Sequence, residues 1–394
     1  MKPEVAVVGA GPAGLLAATR IAGKGFSVQV YEEHSTVGKP CHCAGLISVE
    51  GLERLGLRPD SSFHQNTVHG GRIFAPNGEL IEVVGSRPRA YVVDRAAFDK
   101  HLAERAANKG VELLLGQRVE ELEITRVSAS LSSGGKKVTP RVIVDAEGPG
   151  AKLLCDAGYD TKQKGLINGF NAEVEGVELD QGLVELWFSR HLAEGFFAWV
   201  IPTGSCSARC GLASRSNGLE ALKGFVEKRF GIRSPLKIKA GRVCTGGPVK
   251  RTVYGKLIIA GDAAGQVKPT TGGGVVIGGL CAGIASDVAS EYIAGDIRNL
   301  ASYERRWRRL YGFELEVMLT IRRLLNRLSD DRLNRALDIF REEDLQTKSQ
   351  YLLEQGDVDM QSGVIKEALK DPAILGALAR ILGRVALSEV TSIF

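Results

Sequence analysis

Residues 9–14 read Gly9-Ala10-Gly11-Pro12-Ala13-Gly14, directly after the apolar run Glu4–Val8 and at the start of a helical pattern reaching about Lys24. Three glycines at this spacing suit a dinucleotide's pyrophosphate. Gly9 permits the tight turn, Gly11 lets phosphate oxygens reach the backbone, and Gly14 lets helix and strand pack closely. The helix N-terminus adds free N–H groups and a partial positive charge. Glu32 ends a second predicted strand, Ser27–Tyr31, where its carboxylate is placed to accept hydrogen bonds from ribose hydroxyls. Its charge would repel a 2′-phosphate. FAD and NAD fit these residues equally well.

A second cluster separates the two. Lys256-Leu257-Ile258-Ile259-Ala260-Gly261-Asp262 is a buried-strand pattern ending in Gly-Asp, and Pro269-Thr270-Thr271-Gly272-Gly273-Gly274-Val275 opens another helix. Asp262 there suits the ribityl hydroxyls of a flavin, and the triple glycine offers more backbone N–H groups. Two such turns, far apart in sequence, suit one extended FAD. A thiol-rich loop, Lys39-Pro40-Cys41-His42-Cys43-Ala44-Gly45, lies between them. Its spacing is too tight for a tetrahedral metal site, so no metal is expected.

The elements that must position these groups follow from the patterning. Strand, glycine turn, helix and strand make a βαβ start, so a doubly wound α/β sheet is expected. Short alternating runs over 67–93 and 165–243 read as antiparallel strands; Asp94–Lys109 reads as a helix and Val142–Asp145 as a buried strand. The expected FAD-binding domain is therefore discontinuous, over 1–66, 94–164 and 244–300, with an antiparallel substrate domain from 67–93 and 165–243. Residues 301–394 form a helical C-terminal region. Its arginines 305, 306, 308 and 309 flank Leu310 and Phe313, which suits either a solvated surface helix or one lying on a membrane.

With 44% hydrophobic and 25% charged residues, the chain of 394 excludes disorder and collagen-like repeats. Its 48 glycines are about 12%, against a usual value of about 7%, and they cluster as ligand-approach turns do. A net charge of +5 suits anionic cofactors or a membrane surface but is too weak to argue for nucleic acid. Seven cysteines, none in a C-x-x-C pair, fit a reduced cytoplasmic protein. No run reaches the eighteen or so apolar residues of a membrane span.

The glycine motif with Glu32, the Lys39–Gly45 loop, Asp94-Arg95 with Phe98-Asp99, and the stretch from Gly261 to Gly274 together resemble the geranylgeranyl reductase family, archaeal digeranylgeranylglycerophospholipid reductases above all. These flavoproteins share the fold of p-hydroxybenzoate-type aromatic hydroxylases. The resemblance implies that Ala13, Cys43, Ala44, Gly45, Arg95, Val119, Asp262, Gly274 and Val275 line FAD. The family motif P-x-x-Y-x-W-x-F-P, which lines a lipid tunnel, here reads Glu194-Gly195-Phe196-Phe197-Ala198-Trp199-Val200-Ile201-Pro202. Phe197, Trp199 and Pro202 are thereby expected to contact substrate.

The implied activity is FAD-dependent saturation of isoprenoid C=C bonds in geranylgeranyl lipids, at the inner face of the cell membrane. An external donor must supply the electrons: NAD(P)H, reduced deazaflavin or ferredoxin. Cys43 is the expected proton donor, since a thiol with pKa about 8.5 is mostly protonated at neutral pH; His42 is the lesser candidate. An aromatic hydroxylase or halogenase on the same scaffold is the alternative. Against a halogenase, Phe197 stands where the W-x-W-x-I-P motif carries its first tryptophan.

Overall fold

Val5–Val8 is a strand of four residues, all buried, and Val142–Asp145 beside it and Leu257–Ile259 one strand further out are buried throughout. Such β-branched runs without alternation belong in a parallel sheet covered on both faces. That is what forms in the computed structural model, which describes residues 2–125, 127–233, 235–342 and 345–393. Six strands run in the order Val253–Tyr254, Leu257–Ile259, Val142–Asp145, Val5–Val8, Val28–Glu32, Glu112–Leu115. All junctions are parallel except the first. Helix Pro12–Ala22 packs against helices Arg95–Ala107 and Val275–Ala294. Alanines 17, 18, 282, 285 and 289 are fully buried, and Ser286 Oγ donates to the Ala17 carbonyl at 3.1 Å, so the two long helices approach closely.

Val275–Ala294 is, among the described residues, one helix long and apolar enough to cross a bilayer by length and composition. It escaped the sequence search because Gly278, Gly279, Gly283, Ser286 and Asp287 interrupt its apolar run. Two thirds of its apolar window (67%) is buried inside the protein, which is the position of a core helix.

The chain divides into two compact units. The first comprises Met1–Cys41, Arg95–Leu166 and Cys244–Leu315; the second comprises His42–Asp94, Ile167–Val243 and Glu316–Phe394. This division differs from the sequence-based boundaries over residues 42–66 and over the whole of 301–394, of which 316–394 join the second unit. Residues 42–66 group with the second unit because Leu46–Ser48 and His64–Val68 both pair with Ala90–Val93. Residues 301–315 group with the first, where Tyr303 and Trp307 are fully buried and hydrogen-bond Gln266 and Thr252.

The second unit holds a seven-stranded sheet in the order Ile238–Cys244, Leu166–Glu175, Ser207–Ser214, Ala198–Gly204, Leu183–Trp187, Gly70–Phe74, Leu80–Val84. From Leu166–Glu175 to Leu80–Val84 it is antiparallel as expected except at one junction: Leu183–Trp187 runs parallel to Gly70–Phe74. Those strands come from separate chain segments, so no hairpin dictates their direction. Helix Gly218–Phe230 packs beside it, burying Leu222, Phe225 and Val226. The C-terminal region is helical from Ser302 through Thr391; Glu343, Asp344 and Phe394, included in the expected helical region, lie outside the described residues.

Candidate active site

In the first unit the glycine turn leaves the carboxyl end of the central strand. Gly9 has φ +92°, and a β-carbon there would strike the Ala146 carbonyl. One at Gly14 would strike the Gly9 carbonyl oxygen. At Gly11, by contrast, a β-carbon would meet nothing within 4 Å. Two glycines are thus required by the protein itself, while the third faces space that a ligand can use. Glu32 is tied to the turn: its Oε2 accepts from Ala10 N at 2.8 Å and its Oε1 from His34 N at 2.9 Å. Oε1 also meets His34 Nδ1 at 2.6 Å, so Oε2 is the oxygen that keeps a second lone pair for a ribose hydroxyl.

The second glycine cluster meets the first at Ala13. A β-carbon on Gly261 (φ +68°) would lie 2.7 Å from Ala13 Cβ. Asp262 lies across Gly274, where a β-carbon would strike its Oδ1, and Val275 begins the long helix. Arg95, held by Asp99 at 3.1 Å, is the cation acting on Asp262. Burial pushes the Asp262 carboxyl up to about 6, with Arg95 opposing. The Val119 side chain belongs to the core with Val8, Tyr31 and Leu131, so only its backbone can face a ligand.

That shift predicts a pH effect. Folding raises the Asp262 pKa above its ordinary value of about 3.9 and so favours the protonated form. The resulting stability is present in full below about pH 4 and is lost as pH rises through 6. Between those values the apoprotein loses about 2 kcal/mol, allowing for the side chain's partial exposure. Asp262→Asn removes this loss. Denaturant midpoints at pH 4.5 and 7 measure it, and equal pH dependence in the two proteins rules it out.

Cys43, Ala44 and Gly45 belong to the second unit. The Cys43 side chain is exposed, and its Sγ accepts from Gly45 N at 3.4 Å. Both flanking carbonyls are held. Asn171 Nδ2 donates to the His42 carbonyl at 2.7 Å, while Asn171 Oδ1 accepts from Trp199 Nε1 at 3.0 Å. Arg209 donates to the Ala44 carbonyl at 2.7 Å, and also to Val93, Gln65 and Glu173. Gly45 has φ +74°, and a β-carbon would strike Val93 O and Arg209, so its glycine character comes from the protein's own packing. The His42 ring is exposed beside Gly241.

Sequence reasoning missed Asn171 and Arg209. Each is a buried polar side chain within a strand, Asn171 in Leu166–Glu175 and Arg209 in Ser207–Ser214. We expect Arg209→Lys, which keeps the charge but cannot serve four acceptors, to destabilise the protein by about 2 kcal/mol. An unchanged denaturant midpoint would show that the network carries no load.

The aromatic residues share one buried cluster. Phe197, Trp199 and Ile201 point to one face of the Ala198–Gly204 strand and cluster with Phe196, Val68 and Val92, with Ala44 and Phe188 packed against them. Phe196 and Phe197 stack at 4.3 Å, and Trp199 meets Phe197 edge-on at 6.0 Å. Pro202 lies in the strand, its carbonyl accepting from Asn66 at 3.1 Å. Cys210 is buried in strand Ser207–Ser214, whereas Cys206 is exposed because it sits in the turn joining strands Ala198–Gly204 and Ser207–Ser214.

A pyrophosphate turn at the carboxyl end of a parallel sheet, with a second glycine turn presenting Asp262 beside it, defines an FAD-binding flavoprotein. Residues 2–215 match the FAD binding domain family. The chain belongs to the geranylgeranyl reductase family within that class. It is 33% identical to the digeranylgeranylglycerophospholipid reductase of Methanocaldococcus jannaschii, over 84% of this chain and 88% of the relative. The crystal structure of a geranylgeranyl bacteriochlorophyll reductase-like protein from Thermoplasma acidophilum superposes with a TM-score of 0.83 at 22% identity, covering 100% of this chain and 99% of that one. A flavin-dependent brominase shares the fold less closely (TM-score 0.70, 18% identity, 94% and 98% covered).

Proposed function

We propose that this protein uses FAD to saturate the C=C bonds of geranylgeranyl chains in membrane-lipid precursors, at the inner face of the cell membrane. The observation that carries the reading is the network in the second unit that joins an aromatic wall to an exposed thiol: Trp199 to Asn171 to the carbonyl of His42, next to Cys43. The kinship with digeranylgeranylglycerophospholipid reductases supports it.

Gly9, Gly11, Ala13, Gly14, Glu32, Arg95, Val119, Asp262, Gly274 and Val275, together with the Cys43–Gly45 segment, would hold the cofactor. Reduced FAD supplies a hydride when bound, and an external donor (NAD(P)H, reduced deazaflavin or ferredoxin) restores the electron pair. The chain's own residues do the rest. An isolated alkene has no carbonyl to delocalise charge, so the second carbon needs a proton, and the Cys43 thiol is the exposed acid that delivers it. Asn171 and Arg209 fix the carbonyls on either side of Cys43, which orients the thiol. Phe196, Phe197 and Trp199 exclude water and bind the apolar tail; burying ten carbons contributes about 8 kcal/mol before entropy losses.

Anaerobic reduction of the purified holoprotein with dithionite, followed by mass analysis of added geranylgeranyl lipids, tests the reading. Mass gains in steps of two hydrogens are expected. An added oxygen in an aromatic acceptor, seen on aeration, would instead assign the protein to the hydroxylase branch of the fold.

A further inference from the structure

We infer that Gln163 is a positioning residue for the flavin half of the cofactor. Its side-chain amide ties the backbone of the Asp262 turn to the turn after strand Val142–Asp145, and so sets where the Asp262 carboxyl stands. The inference rests on the reading of Asp262 as a group that holds FAD.

Strands Val142–Asp145 and Leu257–Ile259 run side by side and parallel, and their backbone pairing ends where Ala260 N donates to the Asp145 carbonyl at 2.9 Å. Beyond that bond the two chains part into turns, whose backbone polar groups need other partners. Gln163 supplies them. Its Oε1 accepts from Gly150 N, in the first turn, at 3.0 Å. Its Nε2 donates to the Ala263 carbonyl, in the second, at 3.1 Å, and to the carbonyl of Asp262 itself. Burial, with the charge of Asp262 adding to it, keeps the Cys244 thiol protonated, and Sγ donates to the same Oε1 at 3.3 Å. All five residues belong to the first unit.

Only an amide meets this set of partners. Gly150 N is a donor and the two carbonyls are acceptors, so the side chain must accept on one atom and donate twice from the other. The same requirement fixes which way the amide faces. An ionised glutamate would set a carboxylate oxygen against two carbonyl oxygens, and methionine would satisfy neither turn. Each turn is also braced on its far side. Gly261 N donates to Gln266 Oε1 at 2.9 Å, Gln266 Nε2 donates to Tyr303 Oη at 2.9 Å, and both side chains are fully buried. After the first turn, buried Ala151 is left-handed at φ +41°, a conformation that a residue with a β-carbon keeps only where its surroundings impose it. Two braced turns joined through Gln163 hold the Asp262 carboxyl in place against the sheet. A slip of about 1 Å in such support is enough to undo a preorganised contact.

The test compares FAD with ADP as ligands of the full-length chain freed of its cofactor, read by titration calorimetry. ADP carries only the half that the Gly9–Gly14 turn and Glu32 receive; FAD adds the flavin half. Gln163 is half-buried, so its substitution leaves the core intact. Gln163→Met and Gln163→Glu should each weaken FAD at least about tenfold, as expected for one or two lost hydrogen bonds, and leave ADP within about twofold of wild type. Retained ADP binding also certifies that the variant is folded. Unchanged FAD affinity in either variant overturns the assignment, and so does a loss of ADP in step with FAD, which would mark Gln163 as general scaffolding. Asp262→Ala supplies the second arm. If Gln163 works through Asp262, Gln163→Met adds no more than about twofold to the loss that Asp262→Ala causes alone, whereas fully additive losses overturn the coupling. Unchanged FAD affinity in Asp262→Ala would sink the reading of Asp262 itself. A loss with Asp262→Ala but none with Gln163→Met sinks only the role of Gln163.

Discussion

Replacing Cys43 with alanine slows lipid saturation by about a hundredfold and leaves FAD bound, if the thiol is the proton donor; loss of a positioned general acid typically costs a factor of that order or more. The structure makes the substitution clean. Cys43 is exposed, so its removal opens no core cavity, and the flanking carbonyls remain held by Asn171 and Arg209. Cys43→Ser separates chemistry from shape. Serine fills almost the same volume but is a far weaker acid, so a purely steric role predicts wild-type turnover and an acid role predicts a rate near that of alanine. The assay is mass analysis of geranylgeranyl lipid after anaerobic reduction, with flavin absorbance recorded on the same samples. Unchanged turnover in both variants refutes the acid role and moves His42 to the front. A colourless alanine variant would instead make Cys43 part of the cofactor's binding surface.

How much of this was legible beforehand depended on whether the determining interaction is local. The Val5–Val8 strand, the glycine turn and the Pro12–Ala22 helix were readable because buried β-branched runs and positive-φ turns impose their own sequence. Helix Gly218–Phe230 was not, although Leu222, Phe225 and Val226 repeat with helical spacing and Gly231 closes it with φ +70°. The alternating strands on either side dominated the reading. The three-stranded sheet Val119–Ile124, Ala129–Ser133, Lys136–Val138 was passed over for a similar reason, its strands being short and largely polar. Pairing of Leu46–Ser48 with Ala90–Val93 joins residues more than forty positions apart, and no local pattern encodes it. At the candidate site the same distinction holds. Cys43 stood out by type and spacing, whereas Asn171 and Arg209 matter only because distant backbone carbonyls converge on them. Glu32 shows a third case: it ends the second strand as its place in the chain suggests, but Oε1 is spent on the backbone and ring nitrogens of His34 and half of Oε2 on Ala10, which no periodicity could reveal.

The larger structural effect is expected at Gly14, where alanine should yield a colourless protein destabilised by about 3 kcal/mol. A β-carbon at this position would strike the Gly9 carbonyl oxygen and sit 3.3 Å from Val7 Cγ1. The first obstacle is backbone, fixed at both ends: Gly9 N donates to the Tyr31 carbonyl at 2.8 Å, and Leu15 N to the Gly11 carbonyl at 2.9 Å. Relief requires the Pro12–Ala22 helix to move off the strand, which disturbs its buried packing on the Val275–Ala294 helix as well as the N–H groups at its start. Gly11→Ala is the matched control. It meets no protein atom within 4 Å, so its stability should be near wild type while its FAD affinity falls, because the added methyl occupies the space left for phosphate. Denaturant midpoints and the flavin absorbance ratio of the purified variants separate the two effects. A yellow Gly14→Ala protein with a wild-type midpoint would mean that helix and strand are not in the contact drawn here, and the cradle built on that contact would go with it.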